Sequence, residues 1–211
     1  MDRELEKKLV EESRNNPEVF GKIFEEYYPA IFRYCLHRTA NTEVSNDITS
    51  ETFYKALNKL GSFKWTGVPF SAWLYRIAGN EIIDYFRHRK YEPGSYDDAE
   101  REFNLPDRAD HQNIEKELIE SQEKVEAAEK FIRAKEAIYR LPVKYQEVLV
   151  LRFLEDRKIL EICDILGKGE GTVKSLISRG LGRLKKIFEE EKTQPSRETS
   201  VIFNAKSKGG N

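Results

Sequence analysis

Helical periodicity is the feature that most narrows what this chain can fold into. Apolar residues recur every three or four positions through two long blocks, and sustained strand alternation is absent until the tail. The first block runs from about Leu5 to Tyr91 and the second from about Ala134 to Glu191. Between them, Glu92 to Lys130 opens with Pro93-Gly94-Ser95, contains Leu105-Pro106-Asp107, and carries acids from Asp97 to Glu129 against few bases. That stretch reads as an acidic linker, extended at first and helical from Ile114 onward. The expected fold is all-α: small helical domains over residues 1–91 and 134–191, a flexible linker over 92–133, and a mobile tail over 192–211. Val201-Ile202-Phe203 is a short apolar exception in that tail.

Charge needs the same map. Thirty-six Lys and Arg nearly balance 37 Asp and Glu, which argues mildly against a nucleic-acid binder. The acidic linker resolves this, because it offsets basic residues concentrated in the two blocks. Cys35 and Cys163 stand far apart in apolar-periodic stretches and read as buried free thiols of a reducing compartment. No Cys and His spacing suggests a zinc site, and no cofactor is expected. The opening MDRELEKKLVEE is charged and helical in pattern, so it is no signal peptide, and no apolar run reaches membrane-spanning length. The expected location is the cytosol, at the nucleoid, without membrane insertion.

The second block carries the sharper signal. Leu141-Pro142 opens a helix whose apolar stripe is Tyr145, Val148, Leu149, Leu151 and Phe153. A second helix covers Ile159 to Leu166, with Gly167 as its C-cap. Lys168 to Gly171 form a turn, and Thr172 is the expected N-cap of a third helix. In that helix Val173, Ile177, Leu181, Leu184 and Phe188 fall on one side, and Lys174, Ser175, Ser178, Arg179, Arg183, Lys185 and Lys186 on the other. No acid interrupts the second set before Glu189, so the face suits a recognition helix in a DNA major groove. A solvated basic face is the plainer alternative.

In the first block, Phe63, Trp65, Phe70, Trp73, Tyr75, Tyr85, Phe86 and Tyr91 interleave with Lys64, Arg76, Arg87, His88, Arg89 and Lys90. Trp73, Leu74, Ile77 and Ala78 share a helical face and are expected in the core. The other aromatics, set beside cations, suit the stacking of unpaired bases or an aromatic-rich core.

Together the blocks resemble the bacterial RNA polymerase sigma factors, specifically the extracytoplasmic-function (ECF) class of the sigma-70 family. Asp47-Ile48-Thr49-Ser50-Glu51-Thr52-Phe53 resembles the family's core-polymerase-binding helix. Phe70 to Asn80, followed by Asp84 and Arg87, is similar to its −10 recognition and melting segment. Leu141-Pro142, Glu161-Ile162-Cys163 and Gly171-Thr172-Val173-Lys174-Ser175 are similar to the domain that reads the −35 element. The likeness covers roughly residues 17–91 and 134–190.

The resemblance implies a factor, not an enzyme, that binds core RNA polymerase and directs initiation at promoter DNA. It implies that Asp47, Ile48, Ser50, Glu51 and Phe53 meet the clamp helices of the polymerase's largest subunit. Phe63, Lys64, Trp65, Phe70, Arg76, Asn80, Asp84, Arg87, Arg89 and Lys90 are the expected −10 contacts, with the loop from Phe63 to Phe70 holding a flipped non-template base. Thr172, Lys174, Ser175, Ser178, Arg179 and Arg183 are the expected −35 contacts. The linker would thread toward the polymerase channels, and an anti-sigma factor is a partner the family often has. The long linker also suggests that the two domains pack together in the free protein.

The chain departs from the family pattern in places. Ser50 stands where Gln is usual, and Arg157-Lys158 replace Leu-Ser/Thr, removing an N-cap whose loss costs about 1 kcal/mol. Leu176, Gly180 and Leu181 replace Arg, Ala and Arg, and Gly180 and Gly182 each soften the third helix by about 1 kcal/mol. A weak or unusual −35 contact is the expectation. Two rival classes frame the assignment. A helix-turn-helix regulator acting without polymerase leaves the first block without a purpose. A metal-dependent nuclease needs converging acids, whereas these crowd a linker, and His37, His88 and His111 lie near no nucleophile signature.

Overall fold

A computed structural model of the chain describes residues 2–90 and 122–193. The acidic segment up to residue 121 and the tail from 194, with Val201-Ile202-Phe203, therefore lie outside the described residues. The first half comprises α1 (Arg3–Ser13), a 3-10 turn (Pro17–Val19), α2 (Phe20–Thr39), α3 (Thr42–Lys59), a second 3-10 turn (Leu60–Ser62) and α4 (Phe70–Lys90). The second comprises α5 (Gln122–Tyr139), α6 (Val143–Leu149) running into a π turn (Val150–Leu154), α7 (Ile159–Leu166) and α8 (Glu170–Thr193). Among the described residues there is no strand.

The α2–α3 pair shows why a rather polar sequence folds here. Ala40 adopts a left-handed conformation (φ 51°) that ends α2. The Asn41 side chain then accepts the Val44 N–H at 2.9 Å and starts α3. The buried face of α3 is Ser45, Ile48, Thr49, Thr52, Phe53 and Ala56. Its hydroxyls do not go unpaired: Thr49 donates to Ser45 O at 2.6 Å, Thr52 to Ile48 O at 2.7 Å, and Thr39 and Ser45 share a bond of 2.8 Å. Ile23, Ile31, Tyr34, Cys35, Phe70, Leu74, Ala78 and Ile82 complete this core. Trp73 and Ile77, expected inside with Leu74 and Ala78, are only partly buried against it.

In the second half, α5 runs unbroken across residues 133 and 134 and buries Ala137, Ile138 and Tyr139. Gln146 donates to both Tyr139 O and Leu141 O at 2.8 Å, closing the turn into α6. The π turn inserts one residue into the helical count. Glu155 N–H reaches Val150 O at 2.9 Å, and the phase shift carries Phe153, expected in the apolar stripe, out to solvent at 53% exposure. Helix α7 has the expected bounds, and Gly167 closes it at φ 62°.

Helix α8 begins earlier than the sequence suggests. Gly169 O accepts the N–H groups of Thr172 and Val173, so Thr172 lies inside the first turn and is not the N-cap. Its buried side runs through Val173, Gly180 and Leu184, while Leu181 is exposed. Gly180 has a packing role beyond softening the helix. A Cβ there would lie 3.1–3.4 Å from three side-chain atoms of Leu149. At Gly182 a Cβ would meet nothing within 4 Å.

The two halves pack on each other around one buried acid. The side chain of Glu155, fully enclosed, takes Arg33 of α2 at 3.1–3.3 Å. Tyr75 of α4 donates to it at 3.4 Å, and Arg157 donates to Tyr75 Oη at 2.7 Å with its guanidinium 4.8 Å from the ring centre. Arg38, also enclosed, donates to Tyr34 Oη at 2.8 Å and faces Glu147 of α6 at 3.9 Å. Arg157 was a departure with no purpose in the sequence; in the structure it helps close this junction. The N-cap vacancy at Lys158 is partly offset, because Glu161 accepts the Lys158 N–H at 2.8 Å.

Candidate nucleic-acid interface

Helix α8 presents the expected polar face to solvent. Thr172, Lys174, Ser178, Arg179 and Arg183 are exposed, and Ser175 is half-buried. Because the helix starts at Glu170, the face is not free of acid. Lys174 Nζ pairs with Glu170 at 2.6 Å, and Arg183 lies 5.2 Å from the Tyr145 ring centre. Arg179 and Ser178 stand between them on the same exposed surface.

The α4 region divides into support and surface. Phe70 is wholly buried, so the expectation that it contacts DNA is corrected: its ring packs 5.1 Å from Phe63 and 5.2 Å from Trp73 and anchors the start of the helix. Tyr75 is likewise core. The loop before α4 keeps Lys64 exposed and Phe63 and Trp65 half-buried, the two rings 5.9 Å apart edge to face. Arg76, Asn80, Asp84 and Arg87 follow at helical spacing along one stripe. Asn80 and Arg87 are exposed, Asp84 is partly so, and Asp84 pairs with Arg87 at 3.0 Å. Arg76 is engaged elsewhere. Its guanidinium donates to Asp164 O at 2.6 Å and Ile165 O at 3.1 Å, capping the carbonyl end of α7. Arg89 and Lys90 belong to the last turn of α4.

The α3 candidates also split. Asp47 and Ser50 are exposed and Glu51 is partly exposed, whereas Ile48 (7% exposed) and Phe53 (3%) face the core. Both are corrected from contact residues to supports, since positions 48, 52 and 56 share the inner side of the helix. Phe53 lies under Phe24, 4.9 Å between ring centres. Tyr54, 62% exposed, sits on the outer face with Asp47, Ser50 and Glu51, seven residues from Asp47. Sequence reading passed over it, although that spacing alone places it there. Glu51 is braced by Lys55 at 3.3 Å, which reaches across to Glu81 of α4 at 2.7 Å.

Titration at the junction follows burial. His37 lies 3.7 Å from Glu155, yet desolvation, with Lys135 and Arg33 nearby, lowers its pKa to about 4 and keeps it neutral. Burial pushes the Glu155 carboxyl above its ordinary range, and the Arg33 bond opposes this. The Cys35 thiol is pushed up to about 12 by burial, which makes it unreactive. Among the described residues, no three His, Cys, Asp or Glu side chains gather as a metal site, and no helix is long and apolar enough to cross a membrane.

Comparison with known proteins bears on both halves. Residues 23–91 match the family described as Sigma-70 region 2, and residues 132–184 match Sigma-70, region 4. The ECF RNA polymerase sigma factor SigW of Bacillus subtilis is 31% identical over 190 residues, covering 90% of this chain and 100% of SigW. The ECF RNA polymerase sigma factor BldN of Streptomyces coelicolor is 28% identical over 184 residues, 87% of this chain but 66% of that longer protein. Among solved structures, CnrH in complex with the cytosolic domain of CnrY superposes with a TM-score of 0.61 at 19% identity, covering 88% of this chain and 97% of that one. The sigma factor RpoE in complex with the anti-sigma factor NepR from Bartonella quintana gives 0.56 at 21% identity, covering 81% and 96%. These two likenesses concern the fold.

Proposed function

The chain belongs to the ECF group of the sigma-70 family and is a sigma factor that directs transcription, and from that premise we propose how its surfaces divide the work. Asp47, Ser50, Glu51 and Tyr54 on the outer face of α3 bind the clamp helices of core polymerase, with Ile48 and Phe53 holding that face in place. The loop around Lys64 and Trp65 takes a base flipped from the −10 element, and Asn80 and Arg87 track the adjoining strand. Lys174, Ser178, Arg179 and Arg183 enter the −35 major groove, with Thr172 and Ser175 at its edge. No residue carries a catalytic step in this scheme. The chain acts at the nucleoid, and an anti-sigma factor covering the α3 face would compete with polymerase.

The observation that carries this reading is one of placement. An acid-and-tyrosine face and a cation-lined recognition helix stand exposed on different halves of one chain. The helix-turn-helix regulator is not favoured, because the region 2 match gives the first half a role.

We read the packed arrangement as a resting form, on a geometric ground. By their names the two promoter elements lie about 25 base pairs apart, about 85 Å at 3.4 Å per pair. Arg76 cannot hold α7 at 2.6 Å while the halves occupy both elements. The 31 residues from 91 to 121 can reach about 100 Å when extended, enough for the separation. Promoter binding therefore has to break the Glu155 and Arg76 contacts. Size-exclusion co-elution with sigma-free bacterial core polymerase tests the first step. The wild-type chain should bind, and a chain with Asp47→Lys and Glu51→Lys should not; equal binding by both would remove the α3 assignment.

A further inference from the structure

Helix α1 lies outside the residues matched to region 2, yet it grips the loop and helix that the −10 reading relies on. Its Leu9 and Val10 are buried in the core, so it is a fixed body and not an appendage. Glu6 is 3% exposed, and its Oε1 accepts Tyr27 Oη at 2.6 Å and the Ser71 N–H at 3.2 Å. That carboxylate satisfies an otherwise unpaired donor in the first turn of α4 and sits at the positive end of its dipole. Arg3 and Arg14 are eleven residues apart, three helical turns, and so project from one side of α1. Arg14 Nη2 bonds Phe63 O at 2.6 Å, and Arg3 Nη2 bonds Gly67 O. The two guanidiniums thus tie down both ends of the segment bearing Lys64 and Trp65. At the second tie Gly67 turns the chain at φ 89°, a conformation that suits glycine.

We propose that Arg3 and Arg14 are positioning residues for promoter opening: they hold the Phe63–Gly67 loop in the shape that receives the flipped base, and Glu6 fixes the start of α4 beside it. The inference rests on the base-capture reading above. A loop already shaped before the base arrives does not have to be ordered during capture, so the benefit appears in opening and not in polymerase binding. Neither arginine touches DNA in this scheme.

The test uses holoenzyme assembled from core polymerase and the full chain, wild type or Arg3→Ala with Arg14→Ala. Opening is followed with 2-aminopurine at the −10 position on duplex and on pre-opened promoters. Loop position is followed by acrylamide quenching of Trp65 in a Trp73→Phe background, since the chain has two tryptophans. The double variant should bind core as wild type does, expose Trp65 to quencher, and open duplex promoter about tenfold more slowly. A pre-opened promoter should restore it to within about twofold, and Arg3→Lys with Arg14→Lys should keep most of the wild-type rate, because lysine also donates to carbonyls. Unchanged quenching overturns the clamp. Greater quenching with a normal opening rate overturns the loop's role; if Trp65→Ala also opens normally, the base-capture reading is what failed. Loss of core binding or of the folded state would make α1 a general brace and overturn the positioning claim.

Discussion

Helices α4 and α8 both turn cations toward solvent, but they hold them differently. On α8 Arg179 is exposed, Arg183 lies over the Tyr145 ring of its own half, and the Lys174–Glu170 pair is an exposed one of little energetic weight. On α4 one cation of the stripe is engaged by the other half, Arg76 capping α7, while the Arg87–Asp84 pair is an exposed one of the same weak kind. On the proposed assignment, the α8 face is free of contacts with the other half among the described residues, whereas Arg76 of the α4 stripe is held by α7 in the packed form. If the packed form is the resting one, as proposed, the junction and not the fold of either half is what promoter binding has to overcome.

The largest expected effect breaks that junction. Glu155→Ala removes the enclosed acid and leaves Arg33 without its ion-pair partner and the Tyr75 hydroxyl without its acceptor, which should destabilise the packed form by about 3 kcal/mol. Small-angle scattering should then report an extended molecule, and unchanged dimensions would mean that other contacts hold the halves. A pH series reaches the same place. His37 has a pKa lowered to about 4, so its contribution is intact above its unfolded value near 6.5 and is lost as pH falls toward 4. The loss should total about 3 kcal/mol. Because Glu155 shifts the opposite way, the comparison is between wild type and His37→Gln, whose unfolding free energy should fall less over that range.

Trp65→Ala comes next. Losing one stacking ring should slow opening by about 2 kcal/mol, roughly thirtyfold, in a 2-aminopurine assay, while −35 duplex affinity stays the same. Arg179→Ala should do the reverse, weakening the −35 duplex about tenfold, with a shallower salt dependence if the contact is to phosphate. Equal loss in both assays for either variant would erase the distinction between α4 and α8. The smallest effect separates two glycines of α8. Gly182→Ala should stabilise the chain by up to about 1 kcal/mol, and Gly180→Ala should gain less or lose stability against Leu149, as thermal melts would show.

Much of the fold was legible because helical period and caps agree in sign. Ile159–Leu166 and Gly167 stand as expected, and the all-helical class needed only periodicity. Pattern failed where residue type and burial disagree. Phe53 and Phe70 look like contact residues and are core, and an aromatic ring gives no sign of which side it faces until its helix is placed. The π turn moved Phe153 outward, and a one-residue insertion leaves no mark in composition. Gly169 O captured the first turn of α8, so Thr172 lost its cap role to backbone. The junction was the least legible part. Arg33 and Glu155 are 122 positions apart, and packing between the halves was expected only from the linker's length.

The central claim is that this chain turns core polymerase into a promoter-specific enzyme. The most direct measurement is to map the 5′ ends of transcripts made by sigma-free core polymerase, with and without the chain, on a fragmented genomic library. The account predicts co-elution with core and a set of defined starts that appear only with the chain, each preceded by a shared −10 and −35 motif. A chain that leaves core unbound and adds no starts, while still binding a duplex on its own, would contradict it.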